Sequence, residues 1–134
     1  MILVLDASAA VRICLDVRGR KLAPAVQEAE IVLAPSLFVA EVVNTFWKYC
    51  NAGQLSRPEG ERGVGAALGL VDEFAPMEAF SMEALDAALL MKRPAYDMFY
   101  LVLARRNSAT LLSADRALLE GARRLGVRTW EGPA

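Results

Sequence analysis

The chain has 134 residues, of which 55% are hydrophobic and 23% charged, with a formal net charge of −1. That fits one compact domain, residues 1–134, and excludes a disordered chain or one with a global positive field, so a nucleic-acid substrate would need local basic patches. Histidine is absent, which removes histidine-based ribonuclease chemistry, Ser-His-Asp and Cys-His nucleophiles and the usual zinc sites together, and leaves hydrolysis to carboxylates and bound metal. In chain order, Ile2 to Leu5 is a short apolar run that reads as a buried strand, and Asp6 interrupts it too early for a signal peptide. Cys14 and, later, Cys50 lack metal-type spacing and read as buried thiols. Ile31 to Ala34 reads as a second strand. The apolar stretch from Ile31 to Ala40 is too short for a membrane span and contains Pro35, so a cytoplasmic protein with no membrane contact is expected.

Leu37 to Asn51 is the clearest helix, with Ser36 at the N-cap position, Leu37, Ala40, Val43, Phe46, Trp47 and Cys50 at helical spacing, and Gly53 ending it. Phe46, Trp47 and Tyr49 crowd this helix. Core packing accounts for two of the three, which leaves one for an interface. Ser56 and Glu59 have capping-box spacing with Pro58 in the first turn, although Gly60, Gly63, Gly65 and Gly69 weaken the helix that follows. Met77 to Phe80, Thr110 to Leu112 and Val127 to Thr129 read as further strands, and Tyr96 to Arg106 and Asp115 to Leu125 as helices, the last ended by Gly126. Repeats, linkers and low-complexity tracts are absent. Strands alternating with helices predict parallel pairing with right-handed crossovers, hence a three-layer α/β/α sandwich.

In such a sheet the carboxyl ends of the strands share one edge, and ligands bind there where the strand order reverses. Asp6 directly follows the first strand, Asp115 follows the Thr110 to Leu112 strand, and Glu41 lies in the first turns of the helix after the second strand. Three acids therefore converge by topology, whereas the crossover rule does not say which edge Asp97 occupies. Taken singly, Asp6 and Asp115 also suit helix caps, and Glu41 a solvated helix position. Taken together, carboxylates roughly 5 Å apart repel by about 3 kcal/mol per pair at an effective dielectric near 20, so a cluster of them calls for a cation. Oxygen-only ligation suits Mg²⁺ or Mn²⁺.

Four blocks then come into view: Leu5-Asp6-Ala7-Ser8-Ala9, Val39-Ala40-Glu41-Val42-Val43-Asn44, Ala95-Tyr96-Asp97-Met98-Phe99-Tyr100-Leu101-Val102-Leu103-Ala104, and Leu111-Leu112-Ser113-Ala114-Asp115-Arg116. In order and spacing they resemble the PIN-domain ribonucleases of the VapC toxin type. The resemblance implies a parallel sheet ordered 3-2-1-4-5 and puts Asp97 in the pocket with Asp6, Glu41 and Asp115. It also implies metal-dependent hydrolysis of RNA by one or two Mg²⁺ or Mn²⁺ ions, leaving a 5′ phosphate and a 3′ hydroxyl. Asp6 and Asp97 would be the principal direct ligands, with Asp115 binding directly or through water and Glu41 through water. A VapB-like antitoxin and a toxin homodimer are implied as partners.

Ser8, Asn44 and Ser113 are candidates to orient the acids by hydrogen bonding, although Ser8 and Ser113 suit helix caps equally well. Arg105 with Arg106, Arg18 with Arg20 and Lys21, and Lys92 with Arg93 are the local basic groups available to a phosphate backbone, and solvated surface is the ordinary reading for most of them. A catalytically silent PIN-like domain that binds RNA or protein is the alternative. A receiver-like or phosphatase-like domain is disfavoured, because Asp6 is followed by Ala7-Ser8-Ala9 without a second aspartate, and no lysine follows the Thr110 to Leu112 strand.

Overall fold

In the computed structural model residues 1–15 and 17–132 are described, residues 17 and 18 by backbone alone. Five strands, β1 (Ile2–Leu5), β2 (Ile31–Pro35), β3 (Glu73–Ala75), β4 (Thr110–Leu112) and β5 (Arg128–Thr129), form one sheet in the order β3-β2-β1-β4-β5. All four pairings are parallel. The helices α1 (Ala7–Leu15), α2 (Ala23–Glu28), α3 (Leu37–Asn51), α4 (Arg57–Leu68), α5 (Ser81–Met91), α6 (Ala95–Arg106) and α7 (Arg116–Arg124) cover both faces. This is the expected three-layer sandwich. Its central strand carries Leu3, Val4 and Leu5 with no exposed surface, as a strand covered on both faces should. Truncating Leu5 to Ala would cost about 2–5 kcal/mol.

The third strand lies upstream of the run expected to form it. Met77–Phe80 is a 3₁₀ turn that follows Pro76, while Glu73–Ala75 pairs with β2 through Leu33 opposite Glu73 and Ala34 opposite Phe74. As an edge strand with Glu73 and Phe74 exposed, β3 lacks the apolar signature of a buried strand, and Phe80 reaches the core from the turn instead. Ser36 stands at the α3 N-cap but makes no capping bond, because its backbone is already helical rather than extended. Ser56 has the extended backbone, and its reciprocal bonds with Glu59 complete the expected capping box.

The glycines of α4 serve packing against α3. A Cβ at Gly63 would run into the Phe46 ring, and one at Gly60 into the Cys50 sulfur. Helix propensity is given up there for close approach. Cys14 and Cys50 are half-buried free thiols, less enclosed than expected. Phe46 is buried and Tyr49 partly so, which leaves Trp47 as the exposed member of its trio. Among the described residues no helix is long and apolar enough to cross a membrane.

Candidate active site

The sheet order reverses direction at β1, whose neighbours β2 and β4 are reached by chain running to opposite sides. The loops leaving the carboxyl ends of β1 and β4 therefore meet in a crevice. The Asp6 amide donates to the Leu112 carbonyl (3.1 Å), which carries the β1–β4 pairing one residue further and sets Asp6 beside Ser113. A cleft of about 690 Å³ opens at this point, and Asp6, Glu41, Asp97 and Asp115 all line it.

Asp6 is held most completely. Its Oδ1 accepts from the Ser8 hydroxyl (2.8 Å) and the Ala9 amide (2.9 Å), and its Oδ2 from the Ser113 hydroxyl (2.6 Å). Both serines accept in turn from the loop after β4, Ser8 across the crevice from the Ala114 amide (3.1 Å) and Ser113 within its own loop from the Asp115 amide (2.9 Å). Asp6 itself caps α1 through the Ala9 bond, while the hydroxyls of Ser8 and Ser113 hold its carboxylate. Asp6 is only 5% exposed. Burial lifts its pKa from 3.8 to about 6 against the opposing pull of Ser113, Ala9 and Ser8, and the charge on Glu41 raises it further.

Glu41 projects from α3 and accepts from the Tyr100 hydroxyl of α6 (2.5 Å). Burial raises its pKa, the tyrosine bond opposes that shift, and repulsion from Asp97 adds to it. Tyr100 is itself pushed above the ordinary phenol range by burial and by the Glu41 charge, so it stays a proton donor. Asp115 caps α7, its Oδ1 accepting from the Ala117 (2.9 Å) and Leu118 (3.3 Å) amides. Asp97, in the first turn of α6, is bound by the Arg93 guanidinium, Nη2 to Oδ2 at 3.0 Å.

Each acid thus has a protein partner, and among the described residues no three of them close into a ready-made metal cage. Burial is the main cause that raises Asp6 and Glu41, and repulsion from Glu41 on the first and from Asp97 on the second adds a smaller part.

Asn44 is exposed and lies outside the cleft lining; the α3 face carrying Glu41 continues through Thr45 and Tyr49. Arg105 and Arg106 sit in the last turn of α6, at the opposite end from Asp97, where Arg106 pairs with Glu83 (2.5 Å) and stacks over Phe80. Arg20 and Lys21 are exposed on the 3₁₀ segment after α1, and the Arg18 side chain lies outside the described residues. Arg12, given no part above, lines the cleft. So does Tyr100. Its spacing three residues after Asp97 puts both on one helical face, a signal the sequence did contain.

A family model described as the PIN domain matches residues 3–124. No curated protein matches this chain by sequence. Among solved structures, PAE2754 from Pyrobaculum aerophilum superposes with a TM-score of 0.73 at 19% identity, over 96% of this chain and 89% of that one. VapBC-1 from nontypeable Haemophilus influenzae gives 0.68 at 15% identity, over 97% of each chain. VapBC2 from Rickettsia felis, bound to a DNA fragment from its promoter, gives 0.67 at 14% identity, over 98% of this chain and 100% of that one. At these identities the likeness is one of fold.

Proposed function

We propose, since this chain belongs to the PIN-domain family, that it is a metal-dependent endoribonuclease and the toxin of a type II toxin–antitoxin pair. The observation that carries this reading is the convergence of four carboxylates on one cleft at the switch point, with Asp6 buried there and gripped on both oxygens. The donor set is oxygen alone, which suits Mg²⁺ or Mn²⁺, ions that keep several waters and take one or two carboxylates each. Asp6 and Asp97 would hold one or two such ions directly, Asp115 directly or through water, and Glu41 through water. Bound there, the metal would supply an activated water and charge stabilisation for the departing oxygen.

The chain's own residues do the positioning. Ser8 and Ser113 fix the Asp6 carboxylate, and Tyr100 fixes Glu41. Arg12 lines the cleft wall, where it is available to a phosphate backbone, with Arg20 and Lys21 outside it. Hydrolysis adds water across the bond from phosphorus to the 3′ oxygen, leaving a 5′ phosphate on one fragment and a 3′ hydroxyl on the other.

Two exposed apolar faces support protein partners. Val39, Val43 and Trp47 lie on α3, and Met82, Leu85, Leu89 and Leu90 on α5. These faces suit the two proposed partners, a VapB-like antitoxin and a second copy of the chain. The similar folds described as VapBC complexes support the antitoxin.

The test is incubation of the purified chain with RNA, with Mg²⁺ or Mn²⁺ and with excess chelator. Cleavage that needs the metal and leaves 5′-phosphorylated ends is expected. RNA binding without cleavage under every metal condition would favour the silent module instead, and cleavage that persisted in chelator would exclude the carboxylate site.

A further inference from the structure

The sequence offers Arg93, with Lys92, as a basic group available to a phosphate backbone, and the structure gives it a different place. Lys92 ends α5 in the left-handed conformation (φ 56°, ψ 47°), the Arg93 amide donates to the Ala88 carbonyl (3.1 Å), and Pro94 follows directly. The backbone that carries the guanidinium is therefore fixed by a helix-ending turn on one side and a proline on the other.

The guanidinium makes two directed bonds. Nη2 meets Asp97 Oδ2 at 3.0 Å, and Nη1 donates to the Ala117 carbonyl at 2.5 Å. Ala117 is the residue whose amide the Asp115 carboxylate caps. One cation thus grips Asp97 directly and is joined to Asp115 through a single residue of α7. Both partners of the ion pair are well covered, with side-chain exposures of 22% for Arg93 and 31% for Asp97. This sets it apart from the Arg57–Glu61 pair on α4, of the same spacing, whose side chains are 91% and 66% exposed.

We infer that Arg93 is a counter-ion to the cleft acids: its guanidinium holds Oδ2 of the Asp97 carboxylate and must yield that oxygen before a divalent cation can bind through it, so Arg93 sets how tightly the cation binds. The inference rests on the metal-site reading above and deepens it. Four carboxylates in one cleft are costly in the metal-free chain, and a resident positive charge offsets part of that cost. The same charge opposes an incoming ion. A single positive charge roughly 6 Å from a divalent ion, even in a water-like dielectric, weakens its binding by a factor of roughly ten. Arg93 is a positioning residue on this account, and its signature is in cation affinity.

The experiment titrates metal-free wild type, Arg93→Gln and Arg93→Lys with Mn²⁺, reading free ion by electron paramagnetic resonance. Arg93→Gln should bind about tenfold more tightly than wild type, and Arg93→Lys, which keeps the charge, should stay close to wild type. Unchanged or weaker binding in Arg93→Gln would overturn the inference, as would equal tightening in both variants. If Arg93→Gln fails to fold, nitrogen-15 spectra of the wild type decide. The Arg93 guanidinium should rotate slowly in chelator and be freed by saturating Mg²⁺, and an unaltered signal would overturn the proposal. Wild type that bound no Mn²⁺ at all would remove the metal-site reading itself, whereas binding without the Arg93→Gln effect would remove only this one.

Discussion

The two ends of the acidic cleft are built by different means. At the Asp6 end, the carboxylate is 5% exposed and both oxygens are taken by donors from the β1 and β4 loops, which the parallel pairing of those strands brings together. At the Asp97 end, the carboxylate is about one-third exposed and its recorded bond is to a long, charged side chain from the turn before its helix. The first end is set by sheet topology and short hydroxyls and has little freedom to change. The second is closed by a guanidinium that, on the inference above, yields to a cation. On the proposed reading, one ligand is rigid and one releasable, an arrangement that would keep its fold without metal and still accept it.

The harshest way to break this comparison is to neutralise the rigid end. Asp6→Asn should lower metal-dependent RNA cleavage by more than about a hundredfold, because losing a direct ligand must exceed the 10- to 100-fold typical of its hydrogen-bonding supports. Initial rates in Mn²⁺ measure this, and a near-normal rate would strip Asp6 of its role.

Stability of the chelated protein supplies a second test. The folded pKa of Asp6 is raised from 3.8 to about 6, so folding binds more protons than unfolding across that window. The stability associated with protonated Asp6 is fully present below about pH 3.8 and is lost as pH rises through about 6. The loss amounts to roughly 3 kcal/mol. Denaturant melts in chelator between pH 4 and 7 should show this decline, and Asp6→Asn should flatten it.

The supports of Asp6 rank next. Ser113→Ala should slow cleavage by about 10- to 100-fold, with Ser8→Ala the milder of the two, because the Ser113 hydroxyl is buried and closer to the carboxylate. The smallest effect belongs to Asn44. Exposed and outside the cleft, Asn44→Ala should leave the rate within about twofold of wild type and stability within about 0.5 kcal/mol.

The same contrast marks what the sequence made legible. Asp6, Glu41 and Asp115 could be placed from strand ends alone, because parallel topology gathers those positions at one edge. Asp97 could be placed only through the resemblance to PIN domains. The third strand was missed because an edge strand with Glu73 and Phe74 exposed carries no buried-strand pattern. Residues three and four after Glu41 both lie near it on a helix, so spacing alone does not separate Asn44 from Thr45, and the packing of α3 turns Thr45 to the cleft. Tyr100 was overlooked, and Arg93 was read as a basic group for a phosphate backbone rather than as a partner of Asp97, for a related reason. Their spacing from Asp97 was visible, but which of many such pairs is buried depends on the neighbouring helices. Arg105 and Arg106, by contrast, had the right chemistry at the wrong end of α6.

The central claim is that these carboxylates form one divalent-cation site, and crystals of the protein grown with Mn²⁺ test it most directly through the anomalous signal of the ion. The account predicts a peak in the cleft within bonding distance of Asp6, with Asp97 turned toward it and its bond to Arg93 lengthened or broken. Saturating Mn²⁺ that gave no peak in the cleft, with Asp97 still paired to Arg93, would contradict it.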